Sequence, residues 1–503
     1  MVEITPEQDI AHQIIDNNKI CTVIETDEMT RYNGGVFHRG RQSLSEIRKQ
    51  ITQIASNYLI PLKESSKPYN CSTSKRNEII EIIKSNTFES IVEFDQEDNR
   101  VNIINGEIHF YPSNLKKANN LWEFIATEGL YEINESGTHF TNHPLYNESP
   151  YLSFVQLPLM YDPEAECLEV DQFLEDIFGF ERVPDIYEML AYFLMPTVRY
   201  QKAFILYGPP KTGKTSFINL VNQFIGGKYP ERLISGVPLQ DLDIQYQISN
   251  LRNKMLNIFD DLKSTKLTTS ARFRMSVTNP TLTAEVKYIN DHLTWKNICK
   301  HLFACNQLPG VGKNTGDEFW RRWKLFDCFN EMDDSKQDLS FANKRWGGLE
   351  LSGVLNACIK AWARLEKRKH FRNDDQEYVK GLWQMDIEPA KMFVDENCQL
   401  DIEAEVNVDV FWNSLNTWRA GLNVNPISKT MLTQSLQRIS GDISKPKRRK
   451  GDKWVYKGIQ IIKGEIVGEL IENNEKLDKF TSKEYDHKKY WVNEKDYSDE
   501  GAF

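Results

Sequence analysis

The sequence predicts an α/β fold with a parallel-sheet core, preceded by a small α/β region and a helical collar and followed by a compact helix-and-hairpin domain. Three observations predict it. The stretch KAFILYGPPKTGKTSFINLVNQFIG (202–226) gives an apolar strand, a glycine-and-proline loop and an amphipathic helix in immediate succession. The runs MLNIF (255–259) and HLFAC (301–305) have the character of parallel strands buried on both faces. Residues 404–463 read as two helices and then a basic hairpin.

The 503 residues are several times an ordinary domain, which implies three or four folding units. A hydrophobic share of 40% against 27% charged excludes a disordered chain. The 72 acidic and 62 basic side chains leave a charge of −10, so any nucleic-acid contact must be local rather than a property of the whole surface. Eight cysteines without a C-x-x-C pair argue against a zinc site or a disulfide framework and suit a reduced, cytoplasmic setting. The opening MVEITPEQDI lacks a basic n-region, and no apolar run approaches a membrane span, so neither a signal peptide nor a membrane partner is expected.

In chain order, residues 1–120 form the small α/β region. Helical patterns such as SLSEIRKQITQIASNYL (43–59) alternate there with hairpin signals at Tyr32-Asn33-Gly34-Gly35 and around Asn105-Gly106. His38, Arg39 and Arg41 either touch a polyanion or decorate a hairpin. Residues 121–198 read as a helical connector, with breaks at Pro163, Pro184 and Pro196. The core spans 199–335, a helical segment 336–403, the helix-and-hairpin domain 404–463 and a charged tail 464–503.

Within the core, Gly208 to Thr215 fill the pattern G-x-x-x-x-G-K-[ST] between a predicted strand and a predicted helix. The backbone amides of Gly208, Pro209, Pro210, Thr212 and Gly213, as far as they carry a proton, and the helix start at Lys214, Thr215 and Ser216 make an anion cradle for a nucleoside triphosphate. Lys214 reaches the β and γ phosphates and Thr215 ligates Mg2+, so ATP and Mg2+ are the expected cofactors. Lys211 reads as a solvated loop charge.

Asp260 and Asp261 follow MLNIF where a buried strand emerges. One can hold Mg2+ while its neighbour polarises the attacking water; Asp260 is assigned the metal and Asp261 the base. Asn306 ends HLFACN, where an amide can bond the γ-phosphate or simply begin a turn. In DEFWRRWKLFD the adjacent Arg321 and Arg322 are either an ion pair's half or an arginine finger offered across a subunit boundary.

The succession GPPKTGKTS, MLNIFDDL, TAEVKYINDHLTWKN, HLFACNQLP and EFWRRWKLF resembles the superfamily III helicases, with the helicase modules of phage and plasmid primase-helicases and of poxvirus helicase-primases as the nearest likeness. The resemblance covers the chain from about residue 100 to 463. It implies an AAA+-type ring, usually hexameric, that hydrolyses ATP and moves 3′ to 5′ on single-stranded DNA during replication. It implies that Asn306 is a sensor and that Arg322 is the finger, with Arg321 beside it. It also makes TAEVKYINDHLTWKN a channel hairpin, with Lys287, His292 and Lys296 as DNA contacts. Where relatives carry a Gly-Gly-Asp turn ahead of this hairpin, the chain reads Thr278-Asn279-Pro280.

ISKTMLTQSLQRI and KPKRRKGDKWVYKGIQII resemble the recognition helix and wing of a winged helix. Residues 440–463 hold eight basic and two acidic side chains, a local +6 that leaves −16 for the remainder. Lys445, Lys447, Arg448, Arg449, Lys450 and Lys453 are expected to bind phosphate with little sequence reading, or else to form a solvated loop. Residues 1–120 are short for a primase and show no D-x-D followed by a metal-site histidine; Asp241 and Asp243, the one D-x-D, lie in the core. A primase is therefore expected as a separate partner, beside single-stranded and duplex DNA and other copies of the chain. The competing reading is an ATP-regulated DNA-binding initiator or scaffold; a small-molecule kinase is disfavoured by the length and the basic wing.

Overall fold

The computed structural model describes residues 4–61, 65–110, 116–118, 121–123, 138–141, 152–244, 246–263, 267, 270–285, 292–311, 315–328, 344–387, 390–421, 426–441, 443–444, 446–448 and 454–462. The fold is mixed α/β, and its centre is a five-stranded parallel sheet.

The N-terminal unit packs helices Pro6–Asn17, Arg41–Asn57 and Thr73–Ser85 on a small sheet. Isoleucines at helical spacing (Ile10 and Ile14, Ile47 and Ile51, Ile79 and Ile83) are fully buried between them. The first helix starts on a capping box, with Thr5 accepting from the Gln8 amide and Gln8 answering the Thr5 amide. The predicted hairpin forms at Gly34-Gly35, whose φ angles of 58° and 93° suit the two-residue turn between Glu28–Asn33 and Val36–His38.

Residues 152–159 run back along this unit: the Leu157 amide donates to the Asn102 carbonyl (2.9 Å) and the Ile104 amide to the Leu159 carbonyl (2.8 Å). Two helices follow, Leu168–Phe178 and α1 (Val183–Leu194), the latter carrying Pro184 in its first turn. Every residue of α1 from Asp185 to Leu194 is buried. The part of the predicted collar that is helical is thus woven into the core, because a helix apolar on all sides must be covered on all sides.

The core strands are β1 (Ala203–Tyr207), β2 (Ile234–Ser235), β3 (Leu256–Phe259), β6 (Lys300–Cys305) and β7 (Trp323–Asp327), in the order β2-β3-β6-β1-β7. An antiparallel pair, β4 (Thr281–Glu285) and β5 (His292–Lys296), comes between β3 and β6 in the chain and forms a separate two-stranded sheet. Helix α2 (Lys214–Val221) follows β1, and α1 and α3 (Gly348–Arg368) cover one sheet face through Phe193, Phe204, Trp362 and Phe371. The opposite face holds Trp295, Phe303, Trp323 and Trp383.

The C-terminal unit pairs β8 (Cys398–Asn407) with β10 (Trp454–Ile461), and β10 with β9 (Lys447–Arg448). Helices Val408–Gly421 and α4 (Lys429–Ile439) pack on it through Phe411, Leu415, Leu432, Leu436 and Tyr456. Strand β8 crosses the predicted 403/404 boundary, and Phe393 and Val394 join the same core. CQLDIEAEVN alternates Cys398, Leu400, Ile402, Ala404 and Val406 with polar residues, a strand signal that sequence analysis passed over. Among the described residues no helix is long and apolar enough to cross a membrane.

Candidate functional site

Strand β1 delivers Gly208 to the end of the sheet, and residues 208–213 turn into α2 as the motif requires. A Cβ on Gly208 would lie 2.0 Å from the Cys328 carbonyl oxygen, so only glycine lets the loop pass the end of β7. Gly213 takes the left-handed conformation (φ 82°) just before the helix. Lys214 is buried, and its ammonium donates to the carbonyls of Gly208 (2.8 Å) and Pro209 (2.5 Å) and to the Thr212 hydroxyl (3.3 Å). Burial lowers its pKa, with Cys328 and Cys305 opposing the fall. Thr212 is itself held by the Pro209 carbonyl (3.0 Å), while Pro210 and Thr215 are exposed and Ser216 is half-buried. The lysine thus occupies, with its own loop, the space that phosphate oxygens would compete for.

Parallel register places the other predicted groups at the same end. Tyr207 pairs with Cys305 and Phe259 with Phe303, so Asn306 emerges one strand and Asp260 two strands from the loop, about 5 and 10 Å across. Asp260, Asp261 and Asn306 are all exposed. After the acids the chain stays beside β6, the Leu262 amide donating to the Ala304 carbonyl (2.9 Å). The oxygen donors of Thr215 and Asp260 suit a hard cation such as Mg2+. Among the described residues no group of three His, Cys, Asp or Glu could hold a metal ion.

Arg321 and Arg322 lie at the other end of the sheet, where the Ala203 amide donates to the Arg322 carbonyl (2.7 Å). A five-residue strand separates them from the loop by about 17 Å, beyond reach of the chain's own phosphate cradle. Arg322 is buried, donates to the Thr278 hydroxyl (2.8 Å) and to the Glu318 carbonyl, and is thereby occupied inside its own chain. Burial and the neighbouring Arg321 lower its pKa. Arg321 is exposed, and its backbone carbonyl is held by Lys202 (2.5 Å), which also pairs with Asp374 (2.6 Å).

Of the hairpin residues, Lys287 lies outside the described residues and His292 stands at the start of β5. Lys296 faces the N-terminal unit: it donates to the carbonyls of Asp95 (2.6 Å) and Gln96 (3.0 Å) and pairs with Asp98 (2.6 Å). Asp95 in turn accepts from the Ser153 hydroxyl and the Phe154 amide, and burial raises its pKa to about 6. Trp295 of β5 is buried in the core. The departure at Thr278-Asn279-Pro280 is spanned by Asn297, whose amide nitrogen donates to the Ser276 (2.6 Å) and Asn279 (2.9 Å) carbonyls. Asp243 caps the following helix through the Arg272 amide (3.1 Å), a structural use of the D-x-D. Arg39 pairs with Glu28 and lies over Phe154 (4.7 Å), and His38 bonds the Asn33 carbonyl (3.2 Å), so both brace the hairpin.

In the C-terminal unit Lys447 is exposed on β9 and Arg448 stands opposite Trp454; Lys445, Arg449, Lys450 and Lys453 lie outside the described residues. Sequence reasoning passed over three buried lysines, Lys202, Lys300 and Lys324, and the exposed Trp454. A lysine opening an apolar strand, as in KHLFAC, was the available signal for Lys300.

A family described only as being of unknown function (DUF5906) matches residues 206–322, the stretch from the phosphate loop to the arginine pair. No curated protein matches the chain. The apo structure of the NrS-1 C-terminal region is 12% identical over 91% of this chain and 100% of that one, with a TM-score of 0.42. An A-form apo structure of the same region is also 12% identical, over 89% and 98%, with a TM-score of 0.43. Likenesses this distant assign no activity to the chain.

Proposed function

We propose that the chain is an ATP-dependent DNA helicase of superfamily III type that acts in replication and works as a ring of copies, six in the expected case, moving 3′ to 5′ on single-stranded DNA. The observation that carries the reading is the strand order: the lysine loop ends β1, the acids end β3, and β6 with Asn306 runs between them. That is the arrangement an AAA+-type core needs to set a polarised water between a carboxylate and a γ-phosphate. Lys214 neutralises the phosphates, Asp261 accepts the proton from the attacking water, Asn306 orients that water, and Asp260 with Thr215 holds Mg2+, which supplies charge neutralisation when bound. The exposed Arg321 is the finger in this scheme, since Arg322 is engaged within its own chain; it serves the cradle of a neighbouring copy. The C-terminal unit is a winged-helix-like DNA-binding domain, and priming comes from a separate protein.

A second reading, an ATP-regulated initiator without processive unwinding, is favoured by one observation: Lys296, expected to grip DNA, is bound to the N-terminal unit. ATP hydrolysis with and without single-stranded DNA, together with unwinding of 3′- and 5′-tailed duplexes, separates the two. Stimulated, 3′-tail-dependent activity that Lys214→Ala abolishes is expected, with Arg321→Ala losing turnover while still binding nucleotide. Wild type that binds ATP and DNA but neither accelerates nor separates strands sinks the helicase reading.

A further inference from the structure

We propose that Trp454 stacks on an unpaired base, so that the C-terminal unit takes single-stranded DNA rather than intact duplex; the inference rests on the DNA reading above. Trp454 is 51% exposed, whereas Phe411 and Tyr456 of the same unit are fully buried. It opens β10 opposite Arg448, beyond the last pair that β8 makes, Asn407 with Val455. Among the described residues no third strand pairs with it there.

The pleat fixes its direction. Tyr456, two residues on and therefore on the same strand face, meets the Thr433 hydroxyl of α4 at 2.8 Å. Trp454 stands on that face about 7 Å further along, at the open end of the strand. Lys447 is exposed on the adjoining strand, and the sequence from 440 to 463 carries a net +6, the charge that attracts a phosphate backbone. An indole beside phosphate-binding cations is the combination that holds single strands, because every base has a π-face and stacking ignores sequence. A paired base inside a duplex has both faces covered and offers the indole nothing.

The test is titration of the full-length protein with a labelled oligothymidine and with an abasic strand of equal length. Wild type is expected to prefer the base-bearing strand by roughly five- to a hundredfold. Trp454→Ala should lose that preference while keeping the salt dependence of binding; Trp454→Phe should keep most of it, which excludes misfolding as the cause. Lys447→Ala should weaken both strands alike. Equal loss on both strands in Trp454→Ala, no loss on either, or a change in its oligomeric size would overturn the stacking role. Wild type that binds neither strand would remove the DNA reading itself, whereas wild type that binds both equally removes only this inference.

Discussion

Replacing Lys300 by methionine should change how the stability of the core depends on pH more than it changes stability at neutrality. Lys300 opens β6 at 1% exposure, and its ammonium donates to the Ile298 carbonyl (2.9 Å) and to the Met195 carbonyl, with the Tyr192 ring 5.5 Å away. Burial pushes its pKa down to about 7, with Lys296 adding to the fall and Asp98 and Cys299 opposing it. In the unfolded chain the value returns to about 10.4. Between those values the unfolded chain holds the proton and the folded chain does not, so stability rises with pH across that window and the penalty is complete below it. At about 1.4 kcal/mol per pH unit the gain from pH 6 to pH 9 comes to about 3 kcal/mol. Methionine keeps the apolar stem but leaves two carbonyls without a donor, roughly 1–3 kcal/mol each, which cancels much of its benefit at pH 7. Cys299, whose thiol is pushed up to about 12, works in the opposite direction at high pH, but it is present in both proteins and drops out of the difference. Urea unfolding at pH 6 to 9 should therefore give curves for wild type and Lys300→Met that converge or cross. Parallel curves would refute the assignment of a neutral, buried amine.

Two further outcomes follow from contacts already described. Gly208→Ala forces the loop and the Cys328 carbonyl apart by roughly an ångström, and a displacement of about 1 Å at a reacting centre costs on the order of 100-fold, so ATP turnover should fall by that much with the circular dichroism spectrum unchanged. Turnover near wild type would mean the loop is softer than its packing implies. Lys296→Ala should raise hydrogen exchange at residues 95–98 and 152–154 and leave DNA affinity intact; lost affinity with unchanged exchange would return Lys296 to the DNA surface.

The strand, loop and helix from Ala203 to Val221 were legible because the signal is local: glycine, lysine and threonine at fixed spacing between a strand and a helix define the turn. The sheet was legible for a related reason, since strands buried on both faces must read as apolar runs. What stayed hidden depends on contacts distant in sequence. Nothing in EFWRRWKLF distinguishes Arg321 from Arg322; the difference is that Thr278, 44 residues away, accepts from one of them. Nothing in LTWKN reveals that Lys296 meets Asp98; β8, by contrast, was legible and was missed, since Cys398, Leu400, Ile402, Ala404 and Val406 alternate with polar residues.

The three buried lysines that sequence reasoning missed follow one physical pattern. Lys300 and Lys324 stand at the starts of β6 and β7, and Lys202 just precedes β1, so all three lie along one edge of three adjacent strands. Each donates to loop carbonyls: Lys202 to Arg321, Lys300 to Met195 and Ile298, Lys324 to Arg372 and Asn373. Lys324 also faces Asp185 of α1 at 3.7 Å, and Lys202 pairs with Asp374 beyond α3. A long side chain that spends its donors on main-chain oxygens fixes a loop against the sheet without demanding a particular neighbouring residue. The starting edge of the sheet is thus bolted to α1 and to the turn after α3, while the finishing edge carries exposed Thr215, Asp260, Asp261 and Asn306. Parallel sheets bind ligands at the finishing edge, where the strands release their last residues into loops. Rigidity at the opposite edge has a use of its own here: by holding the Arg321 carbonyl, Lys202 sets where an exposed guanidinium projects from a surface that cannot reach its own phosphate loop. An arginine so placed acts on another molecule or on none, which is why the Arg321 variant is the sharpest test of whether copies of this chain share their active sites.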